Sequence, residues 1–176
     1  MKITPTKIPD VKIIEPDTFP DERGLFFESY NQEKFVAAGI TENFNQDNIS
    51  ISKKRVLRGL HFQKPPYAQA KLVSVVVGEV FDVAVDLRTD SSTYKQWVGV
   101  TLSGDNHLML FVPKGFAHGF YVLSEEARFV YKCAGFYNKE SSSGIMWNDP
   151  TIGVQWPIPA GESPILSTQD ASLPRV

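Results

Sequence analysis

The sequence lacks several features that would place it in a specialised class of protein. Its one cysteine, Cys133, cannot form a disulfide within the chain, and this favours a reducing compartment. No apolar run approaches the length needed to cross a membrane, and the N-terminal residues lack the apolar stretch of a signal peptide. We therefore expect a cytoplasmic protein that does not associate with membranes.

Charge of one sign is also missing. Lys and Arg number 18 and Asp and Glu number 20, which gives a formal net charge of -2. A chain without an overall basic field is a poor candidate for nucleic-acid binding, so its basic residues should act locally. No internal repeat, low-complexity tract or linker divides the 176 residues, and we expect one domain over residues 1–176.

Short strands joined by turns dominate the rest of the pattern. About ten such segments recur at roughly even spacing, with turn residues between them, which is typical of a sandwich or barrel. Leu72–Val77 and Glu79–Leu87 predict a hairpin across Gly78. Two further strand pairs are predicted across the turns Gly104–Asn106 and Ser124–Glu126. The sequence therefore indicates an all-β fold.

The N-terminal part of the chain contains two other elements. Lys2–Glu15 carries Pro5 and Pro9, which predicts an edge strand or an arm because proline cannot donate to a central ladder. Such an arm could add to the sheet of a partner. A short helix is expected over Gln32–Ala38, and Gly39 would end it.

The segment Phe44–Lys53 alternates in polarity. Gln46 and Asn48 share one face, and Ile49 and Ile51 point the other way. The polar face could line a cavity in a small barrel. It could equally be the solvated outer face of an antiparallel sheet, and the pattern favours neither.

The stretch Arg55–Lys71 concentrates the residues best suited to chemistry. A lone histidine such as His61 is more often structural, but cationic neighbours make a functional role more plausible. Histidine titrates near neutral pH and is the commonest general base. Arg58 has a fork suited to phosphate, and Lys71 has a compact charge suited to an oxyanion. The stretch predicts a site that holds an anion and moves a proton.

Three further residues have both a structural and a functional interpretation. His118 could simply close a tight loop between strands, or it could face a ligand. Tyr131 could be a core residue, or its phenol could exchange a proton. Tyr137 could be a loop aromatic or a stacking platform for a nucleobase.

Metal binding is not expected. Gln63 stands where a second histidine would complete a closely spaced pair with His61, and Lys71 would place a cation beside the metal. The sequence also contains no Gly-rich phosphate loop, no Ser-His-Asp order and no cysteine nucleophile motif.

Several motifs then agree with one another. They occur in order as Phe19-Pro20-Asp21-Glu22-Arg23-Gly24, Val56-Leu57-Arg58-Gly59-Leu60-His61-Phe62-Gln63, Val80-Phe81-Asp82-Val83-Ala84-Val85-Asp86-Leu87-Arg88, Pro113-Lys114-Gly115-Phe116-Ala117-His118-Gly119-Phe120, and Asn148-Asp149-Pro150 with Trp156-Pro157. Over nearly its whole length the chain resembles the dTDP-4-dehydrorhamnose 3,5-epimerase family. This resemblance implies a cupin-type jelly roll without a cofactor, usually a homodimer with exchanged N-terminal strands.

The resemblance also implies a reaction and a role for each site residue. The substrate would be dTDP-4-dehydro-6-deoxy-D-glucose, epimerised at C3 and C5 to dTDP-4-dehydro-L-rhamnose through an enolate. His61 would be the base, Tyr131 the acid and Lys71 the partner of the enolate oxygen. Asp170 would orient His61, with Asp82 as second choice. The implied substrate contacts are Arg23 and Arg58 at the diphosphate, Gln46, Asn48 and His118 in the sugar and phosphate pocket, Phe26 and Glu28 at the nucleotide end, and Tyr137 on thymine.

Three alternatives remain open from the sequence. The first is an epimerase acting at C3 or C5 only on a related nucleotide-linked 4-keto sugar. Family members often carry a glutamate where this chain has Ser141–Ser143 and a lysine where it has Gln169. The second is a non-catalytic cupin that binds a nucleotide sugar, and the third is a metal-dependent cupin oxygenase.

Overall fold

Two antiparallel sheets form the body of the protein, and the computed structural model describes all residues, Met1–Val176. One sheet has six strands in the order β1 (Lys2–Pro5), β2 (Lys12–Glu15), β10 (Met109–Val112), β7 (Lys71–Val77), β12 (Glu126–Ala134) and β5 (Phe44–Lys53). The other has five strands in the order β13 (Ser142–Gly144), β6 (Leu57–Gln63), β11 (Phe116–Val122), β8 (Glu79–Asp86) and β9 (Trp97–Ser103). A separate hairpin pairs β3 (Thr18–Asp21) with β4 (Gly24–Phe27). The expected all-β fold is confirmed.

The main core lies between the two sheets. Buried residues from both sheets pack there, among them Val73, Leu110 and Phe129 from the six-stranded sheet and Ala84 and Phe120 from the five-stranded sheet. Burial of apolar area on the inner faces supplies the main driving force for this arrangement. The sheets therefore form a jelly-roll sandwich with an apolar core between them.

Each sheet is also partly covered on its outer face. The helix α1 (Gln32–Ala37) places Phe35 against Leu72 and Met109 of the six-stranded sheet. Asn31 caps this helix by accepting a hydrogen bond from the backbone amide of Lys34. The helix agrees with the predicted one except that it ends one residue earlier. No helix of the structure is both long enough and apolar enough to span a membrane.

The loop-rich C-terminal part covers the five-stranded sheet. Ile145 and Ile152 are buried in one cluster with Leu60, and Trp156 packs edge-on against Phe81. The segment ends with a 3-10 helix, Asp170–Ser172, which contacts β6. The chain after Tyr137 thus forms part of the body and carries an aspartate to the edge of the sandwich.

The three predicted strand pairs are wrong as pairings. β7 and β8 flank Gly78 but belong to different sheets, and the same holds for β9 and β10 and for β11 and β12. Turn residues indicate that the chain reverses, yet they do not determine which sheet receives the next strand. In this sandwich the chain crosses from one sheet to the other at all three turns.

The N-terminal residues form two strands rather than one. β1 is an edge strand that pairs only with β2, as the prolines predict, and β2 joins the sheet through β10. Between them, Ile8 and Val11 are fully buried in the main core. The segment that joins the two strands is therefore anchored in its own protomer.

Candidate active site

A polar cavity opens between the two sheets. It has two adjoining parts, of about 390 and 460 Å³. His61, Lys71, Tyr131 and Gln169 line both parts. We call the first part the histidine chamber, because His118 lies there as well, and the second the amide chamber, because Gln63 and Gln69 line it.

His61 lies on β6 and forms a close pair with Asp170 of the 3-10 helix. Its Nε2 is 2.5 Å from Asp170 Oδ1, and the two residues are 109 positions apart in the chain. Burial alone would raise the pKa of Asp170, but hydrogen bonds from His61, Ser167 and the backbone of Gly59 hold that pKa below its ordinary value. An ionised Asp170 fixes the proton of neutral His61 on Nε2, so Nδ1 is left as a base.

Lys71 and Tyr131 face this histidine from the opposite sheet. Lys71 begins β7 and Tyr131 lies on the neighbouring β12. Burial lowers the pKa of the Lys71 ammonium and raises the pKa of the Tyr131 phenol. The cavity thus has a base on one wall, and a cation and a protonated phenol on the other.

A second histidine–aspartate pair lies beside the first. His118 on β11 is directly opposite His61 in the β6–β11 register. Its Nε2 is 2.9 Å and 3.0 Å from the two carboxylate oxygens of Asp82. Complete burial raises the pKa of Asp82, and His118 partly offsets that shift. Asp82 is therefore the partner of His118, and the alternative that it orients His61 is wrong for this geometry.

Two glycines allow the strands that carry these histidines to approach closely. A Cβ atom on Gly59 would lie 2.6 Å from the Cα of Gly119, and one on Gly119 would lie 2.5 Å from the carbonyl oxygen of Arg58. Any larger residue at either position would push β6 and β11 apart. The glycines next to Arg58 and His118 in the sequence therefore have a steric reason.

The polar face of β5 forms another wall of the cavity. Gln46 and Asn48 line the amide chamber and Ser50 lines the histidine chamber, whereas Ile49 and Ile51 face outward and are 70% and 61% exposed. Of the two interpretations of this strand, the cavity lining is correct. Ser52, next on the same face, accepts a 3.0 Å hydrogen bond from Arg58 Nε, and Arg58 also lines the histidine chamber.

Three predicted substrate contacts lie away from the cavity. Arg23, Phe26 and Glu28 belong to the β3–β4 hairpin or the residues just after it, and none lines either chamber. Arg23 pairs with Asp21 of its own hairpin, and Glu28 pairs with Lys34. Phe26 is 69% exposed. A single protomer does not bring these residues to the other site residues.

The predicted stacking residue stands at the rim. Tyr137 lines the amide chamber and is 61% exposed. The cavity also contains residues that the sequence reasoning missed, namely Ser50, Gln63, Gln69, Ser167 and Gln169. Two of these had a signal in the sequence, since Ser50 shares the polar face of β5 and Gln169 stands where family members often carry a lysine, while nothing local distinguishes the others.

No group of three or more His, Cys, Asp or Glu side chains is arranged to hold a metal ion. The two histidines of the cavity each bond to their own aspartate. The arrangement is suited to proton transfer next to an anion.

Comparison with known proteins agrees with this chemistry. The sequence profile of the dTDP-4-dehydrorhamnose 3,5-epimerase family matches residues 5–176. The dTDP-4-dehydrorhamnose 3,5-epimerase of Shigella flexneri is 56% identical over 97% of this chain and 93% of its own length.

Solved structures give the same result. The dTDP-6-deoxy-D-glucose-3,5-epimerase of Legionella pneumophila Philadelphia 1, in complex with dTDP-4-keto-L-rhamnose, is 50% identical with a TM-score of 0.93, over 99% of this chain and 98% of that one. The dTDP-4-dehydrorhamnose 3,5-epimerase of Bacillus anthracis str. Ames, with TDP and PPi bound, is 48% identical with a TM-score of 0.95, over 99% of both chains. This chain belongs to the dTDP-4-dehydrorhamnose 3,5-epimerase family, whose fold is the cupin-type jelly roll.

Proposed function

We propose that the protein epimerises dTDP-4-dehydro-6-deoxy-D-glucose at C3 and C5 and forms dTDP-4-dehydro-L-rhamnose. One observation carries the proposal: the His61–Asp170 pair, the Lys71 ammonium and the Tyr131 phenol line the same cavity. Family membership supports the substrate class, since relatives with about half of their residues identical carry this activity in their names.

The proposed reaction begins with the base. The C4 ketone acidifies the hydrogens at C3 and C5, and Nδ1 of His61 removes one of them. The electron pair of the broken C–H bond forms the enolate, whose charge resides on O4. Lys71 stabilises this oxyanion from the opposite wall.

Tyr131 completes the inversion. Because burial raises the pKa of its phenol, Tyr131 keeps its proton at neutral pH and can donate it to the carbon from the face opposite His61. The enolate then collapses to the ketone with the carbon inverted. His61 then carries an extra proton and Tyr131 lacks one, so the transfer of one proton from His61 to Tyr131 through solvent resets the site for the second carbon.

The nucleotide part of the substrate would occupy the rest of the cavity. Arg58 and His118 in the histidine chamber are proposed to hold the diphosphate, with Arg58 oriented by its hydrogen bond to Ser52. Gln46 and Asn48 would line the sugar and phosphate pocket, and Tyr137 would stack on thymine.

We further propose a homodimer that completes the site. Exposed apolar side chains cover two surfaces, the outer face of the six-stranded sheet and the β3–β4 hairpin. They are Ile49, Ile51, Val76 and Val77 on the first, and Phe19, Leu25 and Phe26 on the second. An exposed apolar area of this kind favours a protein interface. A partner's hairpin seated there would bring Arg23 to the diphosphate and Phe26 and Glu28 to the nucleotide end.

Strand exchange in such a dimer would be restricted to β1. This edge strand has free backbone groups that can pair with another sheet, whereas Ile8 and Val11 are buried in their own core. We also propose that residues 1–176 form one domain and that the enzyme is cytoplasmic.

Deuterium labelling tests the reaction. In deuterated water the wild-type protein should convert dTDP-4-dehydro-6-deoxy-D-glucose to a product with deuterium at both C3 and C5, as NMR would show. Label at one carbon would replace the proposal by a single-carbon epimerase. Binding without any label would indicate a nucleotide-sugar-binding cupin, and stoichiometric iron or zinc in the active protein would support the oxygenase alternative.

The dimer is tested by mass in solution. Multi-angle light scattering should give twice the mass of the 19.7 kDa chain. The double variant Ile49→Lys with Ile51→Lys should shift the protein toward one chain, and the matched variant Lys53→Glu on the same strand should not. A monomeric wild-type protein would contradict the dimer without affecting the chemistry proposed for His61.

A further inference from the structure

The loop that carries Tyr137 is held by side chains rather than by a sheet. We call Gly135–Asn138 the tyrosine loop. Five of its backbone groups bond to side-chain amides from other parts of the chain. Asn45 accepts from the amide of Gly135, Gln69 donates to its carbonyl, Gln63 donates to the carbonyl of Phe136 and accepts from the amide of Asn138, and Gln46 accepts from the amide of Tyr137.

Gln63 makes the most of these contacts. Its Oε1 accepts from Asn138 at 2.7 Å, and its Nε2 donates to the carbonyls of Tyr67 at 2.7 Å and Phe136 at 3.3 Å. Both amide hydrogens are therefore used within the protein. With only 7% of the residue exposed, Gln63 has no donor left for a ligand although it lines the amide chamber.

Gln69 and Gln46 extend the same arrangement. Gln69 is 9% exposed and its donor bonds to Gly135 at 2.9 Å. Gln46 accepts from Tyr137 at 3.1 Å, and its Nε2 donates to Asn48 at 3.1 Å. Gln46, expected from the resemblance as a substrate contact, is thus already committed to the loop through its oxygen.

We propose that Gln63 and Gln69 are positioning residues that preset Tyr137 as the platform for the nucleobase. The inference rests on the proposed function, in which Tyr137 stacks on thymine. Tyr137 is 61% exposed and its ring pairs with no other aromatic ring of the chain, so packing alone does not fix it. A loop that is already ordered pays less conformational entropy when the base binds.

The variant Gln63→Met tests this by keeping the length of the side chain and removing its polar atoms. Titration calorimetry with dTDP should show binding about five- to thirtyfold weaker, the equivalent of one or two lost hydrogen bonds. In turnover the loss should fall on KM, with kcat largely retained. Gln155→Met is the matched control, because that glutamine donates only to Gly153 at an exposed position, and it should bind dTDP like the wild type.

A double-mutant cycle separates positioning from a general loss of structure. Tyr137→Ala should weaken dTDP binding by itself, and Gln63→Met should add little in the Tyr137→Ala background, because the residue it positions is gone. If the two effects add in full, the positioning role is wrong. If Tyr137→Ala leaves binding unchanged, stacking in the proposed function is wrong instead.

Gln69→Met provides a second route if Gln63→Met does not fold. It removes one contact to Gly135 and leaves all those of Gln63 in place. Binding of dTDP should weaken about fivefold, and again only when Tyr137 is present. Unchanged binding in a folded Gln69→Met protein would overturn its assigned role.

Discussion

The two histidine–aspartate pairs of the cavity differ in exposure although they are neighbours. The His61 side chain is 40% exposed and Asp170 is 5% exposed, whereas His118 is 8% exposed and Asp82 is 0% exposed. Asp170 comes from the C-terminal segment, while Asp82 lies on a strand beside His118. The first pair sits at the open wall of the cavity, and the second is built into the sheet.

The difference in exposure suits the two histidine–aspartate pairs to different roles. An exposed imidazole with an ionised partner can take a proton from a ligand and release it. A buried imidazole whose carboxylate has a raised pKa is better suited to hold its position and present one edge to an anion. We therefore propose that His61 transfers the proton and that His118 positions the substrate.

The largest expected effect comes from removing the charge of each aspartate in turn. Asp170→Asn should lower kcat by about 10²- to 10⁴-fold, because the amide no longer fixes the proton of His61 on Nε2. Asp82→Asn should lower kcat by about tenfold or less, the effect of one weakened hydrogen bond. Steady-state kinetics on both variants provides the comparison, and equal losses would contradict the division of roles.

A second prediction concerns the alkaline side of the pH profile. Burial lowers the pKa of Lys71 below 10.5, so the ammonium loses its proton as pH rises through that lowered value, and kcat/KM should fall. The pKa of Tyr131 shifts the other way, because burial raises it above 10.0. Lys71→Arg should move the alkaline limb to higher pH, because a guanidinium stays charged.

Activity of Lys71→Arg is expected to be about tenfold lower at neutral pH, since the planar group cannot occupy the same position as an ammonium. An alkaline limb that stays in place in Lys71→Arg would show that another group controls it. Tyr131→Phe tests whether the phenol of Tyr131 causes the alkaline fall instead. The activity that this variant retains should decrease over the same alkaline pH range as that of the wild type.

A third prediction concerns the free energy of unfolding, whose dependence on pH differs in sign between the two aspartates. Asp170 has a lowered pKa, so its ionised form stabilises the fold above pH 3.8 and that contribution is lost as pH falls through the folded value. Asp82 has a raised pKa, so its contribution is present below pH 3.8 and is lost as pH rises through the folded value.

Urea unfolding between pH 3 and pH 7 measures both slopes. At neutral pH the free energy of unfolding of the wild type should exceed that of Asp170→Asn by about 1–3 kcal/mol. This difference should become smaller as the pH is lowered. The difference in free energy of unfolding between the wild type and Asp82→Asn should instead become smaller as the pH rises. If the free energies of unfolding of the two variants depended on pH in the same way relative to the wild type, the predicted difference between Asp170 and Asp82 would be wrong.

Much of the fold follows from local pattern, but its pairing does not. Alternation and turn residues located the strands, and Gly39 ended the helix as expected. The same turn chemistry predicted hairpins at Gly78 and two other turns, where the chain in fact changes sheets. A turn is a local event, whereas the choice of sheet depends on which buried faces meet across the core.

The site divides in the same way. His61 and Lys71 stand out because several cationic groups in one short stretch have little reason to be in a core. Asp170 lies 109 residues from His61, and only the resemblance to a family connected them. Nothing in the sequence around Gln63 and Gln69 indicated a role in the site. A glutamine that holds a loop cannot be told from other polar residues until its hydrogen-bond partners are known.

The central claim is that His61, and not its neighbour His118, moves the proton. Wild type, His61→Asn and His118→Asn should be incubated with dTDP-4-dehydro-6-deoxy-D-glucose in deuterated water at saturating substrate, with label at C3 and C5 followed by NMR. We predict that His118→Asn still labels both carbons, more slowly, and that His61→Asn labels neither. Labelling by His61→Asn at the wild-type rate, with none by His118→Asn, would contradict the account.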